Sequence, residues 1–134
     1  MLGKDEIRNL IRAAKAARAF SYSPYSGYKV GAALLTSRGR IVSASNVENA
    51  SYGLSMCAER NAVAKALSEG ERRFLAIAVV GSGKGKTSPC GACRQVISEF
   101  GKDTVVVMAG LKGKPRLEKI SRLLPSSFGK DDLR

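Results

Sequence analysis

Two short segments contain all three cysteines of the chain and one nearby carboxylate. They read Cys57-Ala58-Glu59-Arg60 and Pro89-Cys90-Gly91-Ala92-Cys93-Arg94. Because Cys90 and Cys93 are three residues apart, on a helix they share one face and can bind one metal ion. The chain has no histidine, so metal or proton chemistry must use cysteine, aspartate, glutamate or water.

Three thiolates would leave one tetrahedral position of a Zn²⁺ ion open, and an open position marks a catalytic rather than a structural site. Water in that position would have its pKa lowered towards neutrality and become a usable nucleophile. A lone C-x-x-C pair could instead be redox-active. The third cysteine and the neighbouring Glu59 favour a metal, and Glu59 is the candidate general acid and base.

The charge and spacing of the two segments make two structural demands. Three thiolates on a dication leave one excess negative charge, which Arg60 or Arg94 could reduce by donating to the sulfurs; we favour Arg60.

Residues two apart in a regular helix point roughly 200° from each other. If Cys57 and Glu59 share a site, Cys57 must therefore lie on an irregular first turn or just before the helix.

The apolar pattern predicts an α/β fold, a three-layer α/β/α sandwich with a mixed central sheet, in one domain spanning residues 1–134. Helices are expected over about 5–22, 56–68 and 89–101, with Pro89 in the first turn of the third. Strands are expected at 29–35 and 40–44, which form an antiparallel hairpin, and at 74–80 and 104–108. A turn at 110–114 and a short amphipathic segment at 117–124 follow.

The N-terminal region and composition predict an intracellular, cytoplasmic protein without a membrane span. No apolar run approaches the ~18 residues that would be read as a transmembrane helix. Charged residues interrupt the N-terminus early, so a signal peptide is not expected. Disulfides are disfavoured in the compartment that this predicts.

The net charge of +12, from 23 Lys and Arg against 11 Asp and Glu, makes association with polyanions plausible. The basic residues are scattered along the chain, and four Phe, four Tyr and no Trp offer few surfaces for stacking bases. A nucleic-acid partner is therefore possible but not favoured. The glycine-rich loop at 81–86 lacks the full phosphate-loop pattern.

The two cysteine segments together resemble the zinc-dependent cytidine deaminases, in the small homotetrameric group that uses three cysteines. The resemblance extends over nearly the whole chain, including the segments 25–34, 46–52, 94–96 and 123–128. It implies hydrolytic deamination of cytidine and 2′-deoxycytidine to the uridines with release of ammonia. In the implied mechanism, one Zn²⁺ per subunit activates a water molecule, and a proton shuttle transfers the protons.

The resemblance also implies roles for individual residues. The zinc ligands are Cys57, Cys90 and Cys93, Glu59 is catalytic, and Arg60 and Gln95 support the metal site, with Arg60 bonded to the sulfurs. Asn46 and Glu48 would bind the ribose hydroxyls of the substrate. Tyr28 would lie beside the pyrimidine, and Phe128 would stack on it. The main chain of Ala58 and Ser88 would bind the edge of the base. Tyr28 stands where the family usually has Phe, and Phe128 would enter a neighbouring subunit's site.

Three other interpretations remain open at this point. A deaminase for another aminopyrimidine nucleoside, such as blasticidin S, shares the zinc motifs but lacks the Asn-x-Glu-Asn segment at 46–49. A polynucleotide-binding or editing protein would explain the charge, although Glu48 would repel a continuing phosphodiester. A non-catalytic module stabilised by zinc would leave Glu59 and Glu48 without a purpose.

Overall fold

The computed structural model describes residues 2–134. Its helices are α1 (Lys4–Arg18), α2 (Ala58–Ser68), α3 (Gly91–Ser98) and α4 (Ile120–Leu123), with single 3₁₀ turns at Tyr52–Leu54 and Lys130–Leu133. Its strands are β1 (Gly31–Thr36), β2 (Ile41–Ser45), β3 (Phe74–Val80), β4 (Val105–Ala109) and β5 (Arg116–Lys119). Among residues 2–134, no helix has the length and apolar character needed to cross a membrane.

The five strands form one mixed sheet in the order β2-β1-β3-β4-β5. Strand β1 pairs antiparallel with both β2 and β3, β3 and β4 are parallel, and β5 runs antiparallel to β4. The predicted hairpin and mixed α/β sheet are therefore confirmed. Because β3 and β4 are parallel, the segments that follow these two strands leave the sheet at the same edge.

Helices cover both faces of the sheet and produce two separate cores. On β3, Ile77 and Val79 pack towards α2 and α3, whereas Ala76 and Ala78 pack towards α1. The small side chains on the second face let α1 lie close to the strands. A Cβ at Gly31 would lie 1.9 Å from the Ala14 carbonyl oxygen, so only glycine fits this contact.

The first helix is shorter than the apolar pattern predicts, since α1 ends at Arg18 instead of about Tyr22. The backbone of Tyr22 pairs with the loop after β2. Its N–H donates to the Asn46 carbonyl at 3.1 Å, and its carbonyl accepts from the Glu48 N–H at 2.8 Å. This long-range pairing replaces another helical turn and fixes the loop that carries Asn46 and Glu48.

Two further boundaries differ from the sequence prediction. The expected amphipathic segment at 117–124 is instead the edge strand β5 followed by the single turn α4. Strand β5 is mostly exposed, so it lacks the alternating apolar pattern by which strands are recognised. Pro89 precedes α3 instead of lying in its first turn. Helix α3 ends at Ser98, and Gly101 beyond it adopts a φ of 135°, outside the helical range.

Candidate active site

Two cysteines occupy equivalent positions at the starts of two helices. Cys57 is the N-cap of α2 and Cys90 is the N-cap of α3, and both have extended backbones (φ −69°, ψ 152° and φ −68°, ψ 169°). Cys57 therefore lies just before its helix, so helical geometry does not turn it away from Glu59. Both residues line one cleft. The positive end of the α2 dipole favours the thiolate form of Cys57.

The three sulfurs form a cluster with the dimensions of a zinc site. The Sγ atoms of Cys57 and Cys90 are 3.9 Å apart, those of Cys90 and Cys93 are 3.5 Å apart, and all three lie within 4.8 Å of one another. Zinc–sulfur bonds of 2.3 Å at tetrahedral angles would place two sulfurs about 3.8 Å apart. The distances exclude a disulfide, and the donor set fits zinc.

Arg60 makes the thiolate form of Cys57 more stable. Its Nη2 donates to the Cys57 Sγ at 3.4 Å. The pKa of Cys57 is lowered to about 5, first by a hydrogen bond from Cys93 and then by the bond and charge of Arg60. The hydrogen bond between Cys93 and Cys57, followed by burial, raises the pKa of Cys93. Arg60 thus brings a positive charge to the sulfurs, where three thiolates would have an excess of negative charge.

Glu59 is a buried carboxyl group beside the sulfur cluster. Its side chain is only 4% exposed, although the residue lines the cleft. Burial raises the pKa of Glu59 to about 7, and the negative charge of Cys57 adds to this effect. A carboxyl group with such a pKa can both accept and donate a proton near neutral pH.

The cleft has a volume of about 330 Å³, within the range of small-molecule sites. Glu59, Cys57 and Cys90 are among the residues that line it. The candidate substrate-binding residues that line it are Tyr28, Asn46, Glu48, Ala58 and Ser88. After the roles that the sequence predicts for them, we call Cys57, Glu59 and Cys90 the metal end of the cleft, and Asn46 and Glu48 the ribose end.

Glu48 is held by the turn that follows α1. Its carboxylate accepts hydrogen bonds from the backbone N–H groups of Tyr25 (3.0 Å) and Ser26 (3.1 Å) and a short one from the Ser26 hydroxyl. The Ser26 hydroxyl bond is the main cause that lowers the pKa of Glu48. Glu48 is therefore an oriented anion at neutral pH. Sequence reasoning missed Ser26, whose only local signal was its place in a Ser-Pro-Tyr-Ser-Gly turn.

Most hydrogen-bonding groups of the Asn46 side chain are bonded to other groups of the protein. Its Oδ1 accepts from the Val30 N–H at 2.9 Å and from the Ser21 hydroxyl at 2.5 Å, and its Nδ2 donates to the Tyr28 carbonyl at 2.9 Å. One amide N–H remains free for a ligand. The side chain thus joins the start of β1 to the ribose end and still presents one donor.

Tyr28 and the backbone of α2 border the middle of the cleft. A Cβ at Gly81 would lie 2.6 Å from the Tyr28 hydroxyl oxygen, so a larger residue there would displace the Tyr28 side chain. The first backbone hydrogen bond of α2 runs from the Asn61 N–H to the Cys57 carbonyl. The N–H of Ala58 therefore has no acceptor within the helix and is free to meet a base edge.

Arg94 does not reach the sulfurs. Its guanidinium donates to the Pro89 carbonyl at 2.9 Å, the Leu123 carbonyl at 2.8 Å and the Ser88 hydroxyl at 2.7 Å. It thereby ties the strand-to-helix connection that carries Cys90 to the end of α4. Sequence reasoning missed this role, because Leu123 lies 29 residues away along the chain.

Phe128 and Gln95 lie outside the cleft of their own subunit. The Nε2 of Gln95 donates to the Phe128 carbonyl at 2.9 Å, and neither residue lines the cleft. The Phe128 residue is 59% exposed. The structure therefore places Gln95 against the C-terminal segment, and it leaves the Phe128 ring away from the metal end of the same chain.

Comparisons with known proteins agree with this geometry. The family model for the cytidine and deoxycytidylate deaminase zinc-binding region matches residues 4–109. A cytidine deaminase from Sporosarcina psychrophila is 46% identical over 129 residues, covering 96% of this chain and 95% of the relative. One from Halalkalibacterium halodurans is 49% identical over 125 residues, covering 92% and 95%.

Solved structures extend the agreement to the fold. A cytidine deaminase from Burkholderia pseudomallei superposes with a TM-score of 0.87 at 52% identity, covering 90% of this chain and 98% of that one. A blasticidin-S deaminase from Bacillus cereus is similar at a lower level, 32% identical over 109 residues and 75% of this chain. With its cysteine cluster and its matching fold, the chain belongs to the family of cytidine and deoxycytidylate deaminases with a zinc-binding region.

Proposed function

We propose that the protein is a zinc-dependent hydrolase that converts cytidine and 2′-deoxycytidine to the uridines and releases ammonia. The observation that carries this proposal is the shared cleft. The buried Glu59 with Cys57 and Cys90, and Asn46 with the anionic Glu48, line the same cleft. Family membership supports the same reaction.

The metal end prepares the nucleophile. Cys57, Cys90 and Cys93 would hold a zinc ion, which when bound lowers the pKa of a water molecule in its open coordination position. Arg60 offsets the excess negative charge of three thiolates through its bond to the Cys57 Sγ. Among the described residues, Glu59 and Glu48 are the carboxyl groups that line the cleft, and Glu59 is the one beside the sulfurs.

Glu59 transfers the protons. Deamination moves both protons of the attacking water, the first to N3 of the pyrimidine and the second, from the hydroxyl group then on C4, to the departing amine. A buried carboxyl group with a pKa of about 7 can perform these steps in turn without a second acid. Its burial also keeps bulk water from competing for the same protons.

The rest of the cleft recognises the nucleoside. Glu48 and the free N–H of Asn46 offer an acceptor and a donor for the ribose hydroxyls. The Ala58 N–H and the Ser88 main chain meet the edge of the base, and Tyr28 lies beside its ring. An anion at Glu48 would repel a phosphodiester at the same hydroxyls, which favours a free nucleoside over a polynucleotide.

The complete site would include a neighbouring subunit. The Phe128 ring lies outside its own cleft and is exposed, so we propose that it stacks on the base bound by another subunit of a homotetramer. A groove of about 540 Å³ between α2 and α3, with Val63, Leu67 and Phe100 in its walls, offers an apolar surface for that assembly. Sedimentation measures the assembly directly.

We place the enzyme in the cytoplasm, as the sequence predicts. All three cysteines are free in the structure, and their proposed role requires thiolates that are not oxidised to disulfides. A reducing compartment maintains that state.

Incubation of the zinc-loaded protein with cytidine, 2′-deoxycytidine, blasticidin S and a cytosine-containing oligonucleotide tests the proposal. We expect uridine and deoxyuridine from the free nucleosides and little product from the other two. A chelator should remove the activity, and added zinc should restore it. Turnover of the oligonucleotide or blasticidin S ahead of cytidine, or no uridine from zinc-loaded protein, would contradict the assignment.

A further inference from the structure

The fold gathers basic residues that are scattered in the sequence. Because β3 and β4 are parallel, the loops at 81–86 and 110–115 leave the same edge of the sheet. The two loops touch, since a Cβ at Gly110 would lie 2.8 Å from the Gly85 carbonyl oxygen. Helix α1 joins them through Lys15, whose Nζ donates to the Leu111 carbonyl at 3.0 Å.

We define the basic face as the cations of α1 and of these two loops. They are Lys4, Arg8, Arg12, Lys15, Arg18, Lys84, Lys86, Lys112 and Lys114. Only two acidic residues, Asp5 and Glu6, belong to the same elements. A groove of about 410 Å³ runs beside α1, with Lys4, Arg8, Arg12 and Lys15 on its walls and Pro115 opposite.

The charges of the basic face are largely not neutralised within the protein. Across residues 2–134, the one ion pair on this face joins Arg8 to Asp5 at 3.2 Å, and Glu6 accepts from the Gly3 N–H. Several cations elsewhere are paired, as Arg38 is with the buried Glu71. The basic face therefore has an excess of positive charge that is available to an external anion.

We propose that the basic face binds the phosphate backbone of a nucleic acid without reading its sequence. The 15 residues of α1 extend the charges over about 22 Å, which suits a polyanion better than a single phosphate. Membrane docking by a basic helix needs apolar side chains that are free to insert. Ile7 and Ile11 line the groove but are half-buried, because they pack against the core beneath α1.

The inference is separate from nucleoside deamination. None of the residues of the basic face lines the cleft with Glu59, and phosphate contacts require no base chemistry. Oligouridylate, whose bases carry no amine to remove, is therefore a suitable probe. Its binding reports the basic face alone, whereas uridine formation from cytidine reports the cleft.

Two triple variants with equal net charge provide the test. The first is Arg12→Gln/Lys112→Gln/Lys114→Gln on the basic face. The matched control, Arg73→Gln/Lys102→Gln/Lys119→Gln, removes three exposed cations near the opposite ends of β3, β4 and β5. Fluorescence anisotropy follows the binding of a labelled oligouridylate of about 20 nucleotides over a series of salt concentrations.

For the first variant, the slope of log affinity against log salt should become less negative by about 2, because each lost phosphate contact removes about 0.7. The control should retain the wild-type slope, and all three proteins should deaminate cytidine equally. Equal changes in both variants would show that only net charge matters and would overturn the proposal. So would the absence of wild-type binding at about 50 mM salt, or binding to phosphatidylserine vesicles but not to the oligonucleotide.

Discussion

The two ends of the cleft are built by different means. At the metal end, Cys57 and Cys90 are N-caps of two helices, and Glu59 follows within the first turn of one of them. At the ribose end, Asn46 and Glu48 lie in a loop and are held by Ser21 and Ser26, more than 20 residues away in sequence. Each helix start of the metal end is local, although the fold must join two of them that lie 33 residues apart, whereas at the ribose end the position of each single side chain already depends on distant contacts.

This difference predicts how each end responds to substitution. A change at the metal end removes the chemistry, because no other residue can replace a ligand or the buried acid. A change at the ribose end weakens recognition and leaves the reacting atoms in place. The predictions below separate these two responses, beginning with the largest effect.

Replacing a zinc ligand should have the largest effect. Cys90→Ala leaves two sulfurs for the ion, so the purified variant should lose most of its zinc and its cytidine turnover. Ala92→Ser, in the same turn of α3, is the matched control and should retain both. Metal content by atomic absorption and uridine formation measure the outcome. A Cys90→Ala protein with full zinc occupancy would remove Cys90 from the ligand set.

Replacing the anion of the ribose end should affect binding more than turnover. Glu48→Gln removes a charged acceptor that contributes about 1.5–3 kcal/mol, so KM for cytidine should rise by about 10- to 100-fold with a smaller change in kcat. The same assay with 3′-deoxycytidine provides the control, because wild type and variant should then be nearly equal. A loss confined to kcat would place Glu48 in the chemical step.

Removing the residue that holds Glu48 should have the smallest effect. Ser26→Ala deletes the bond that the hydroxyl donates to Glu48 and the one that it accepts from the Tyr28 N–H. At about 1 kcal/mol for each bond, KM should rise by about 5- to 30-fold. Ser23→Ala, in the same turn but without a contact to Glu48, should leave KM unchanged. An equal rise in KM for both variants would assign the effect to the turn instead of to the Glu48 bond.

The state of Glu48 also has a consequence for pH. The Ser26 hydroxyl lowers the pKa of Glu48 below its ordinary value of 4.5, so the carboxylate is charged at all higher pH values. The contribution of Glu48 to the wild-type KM should then be constant between about pH 5 and pH 8. Because loss of the Ser26 bond raises this pKa again, Ser26→Ala should lose the contribution at a higher pH than wild type.

The sequence predicts the two halves of the metal end well, because each motif places its own side chains within a few residues. The two-residue spacing of Cys57 and Glu59 requires Cys57 to precede the helix, and the structure places it at the N-cap. The resemblance to the deaminase family, the mixed α/β sheet and the zinc cofactor are likewise supported by the comparisons and the cysteine cluster.

The remaining features depend on contacts between distant residues. Tyr22 leaves the helical pattern because it pairs with the loop at 46–48, and Arg94 binds the Leu123 carbonyl instead of a sulfur. Strand β5 forms by pairing with the open edge of β4. The residues Arg116–Lys119 have no local pattern that predicts a strand. The gathering of the basic face likewise follows from the parallel pairing of β3 and β4.

The most direct test of the proposed mechanism is steady-state cytidine turnover by zinc-loaded Glu59→Gln. This variant keeps the size and burial of the side chain but cannot carry a proton. We predict full zinc occupancy, a KM near that of wild type, and a kcat lower by about 10²- to 10⁴-fold. Substantial uridine formation by Glu59→Gln with zinc bound would contradict the assignment of Glu59 as the group that moves the protons.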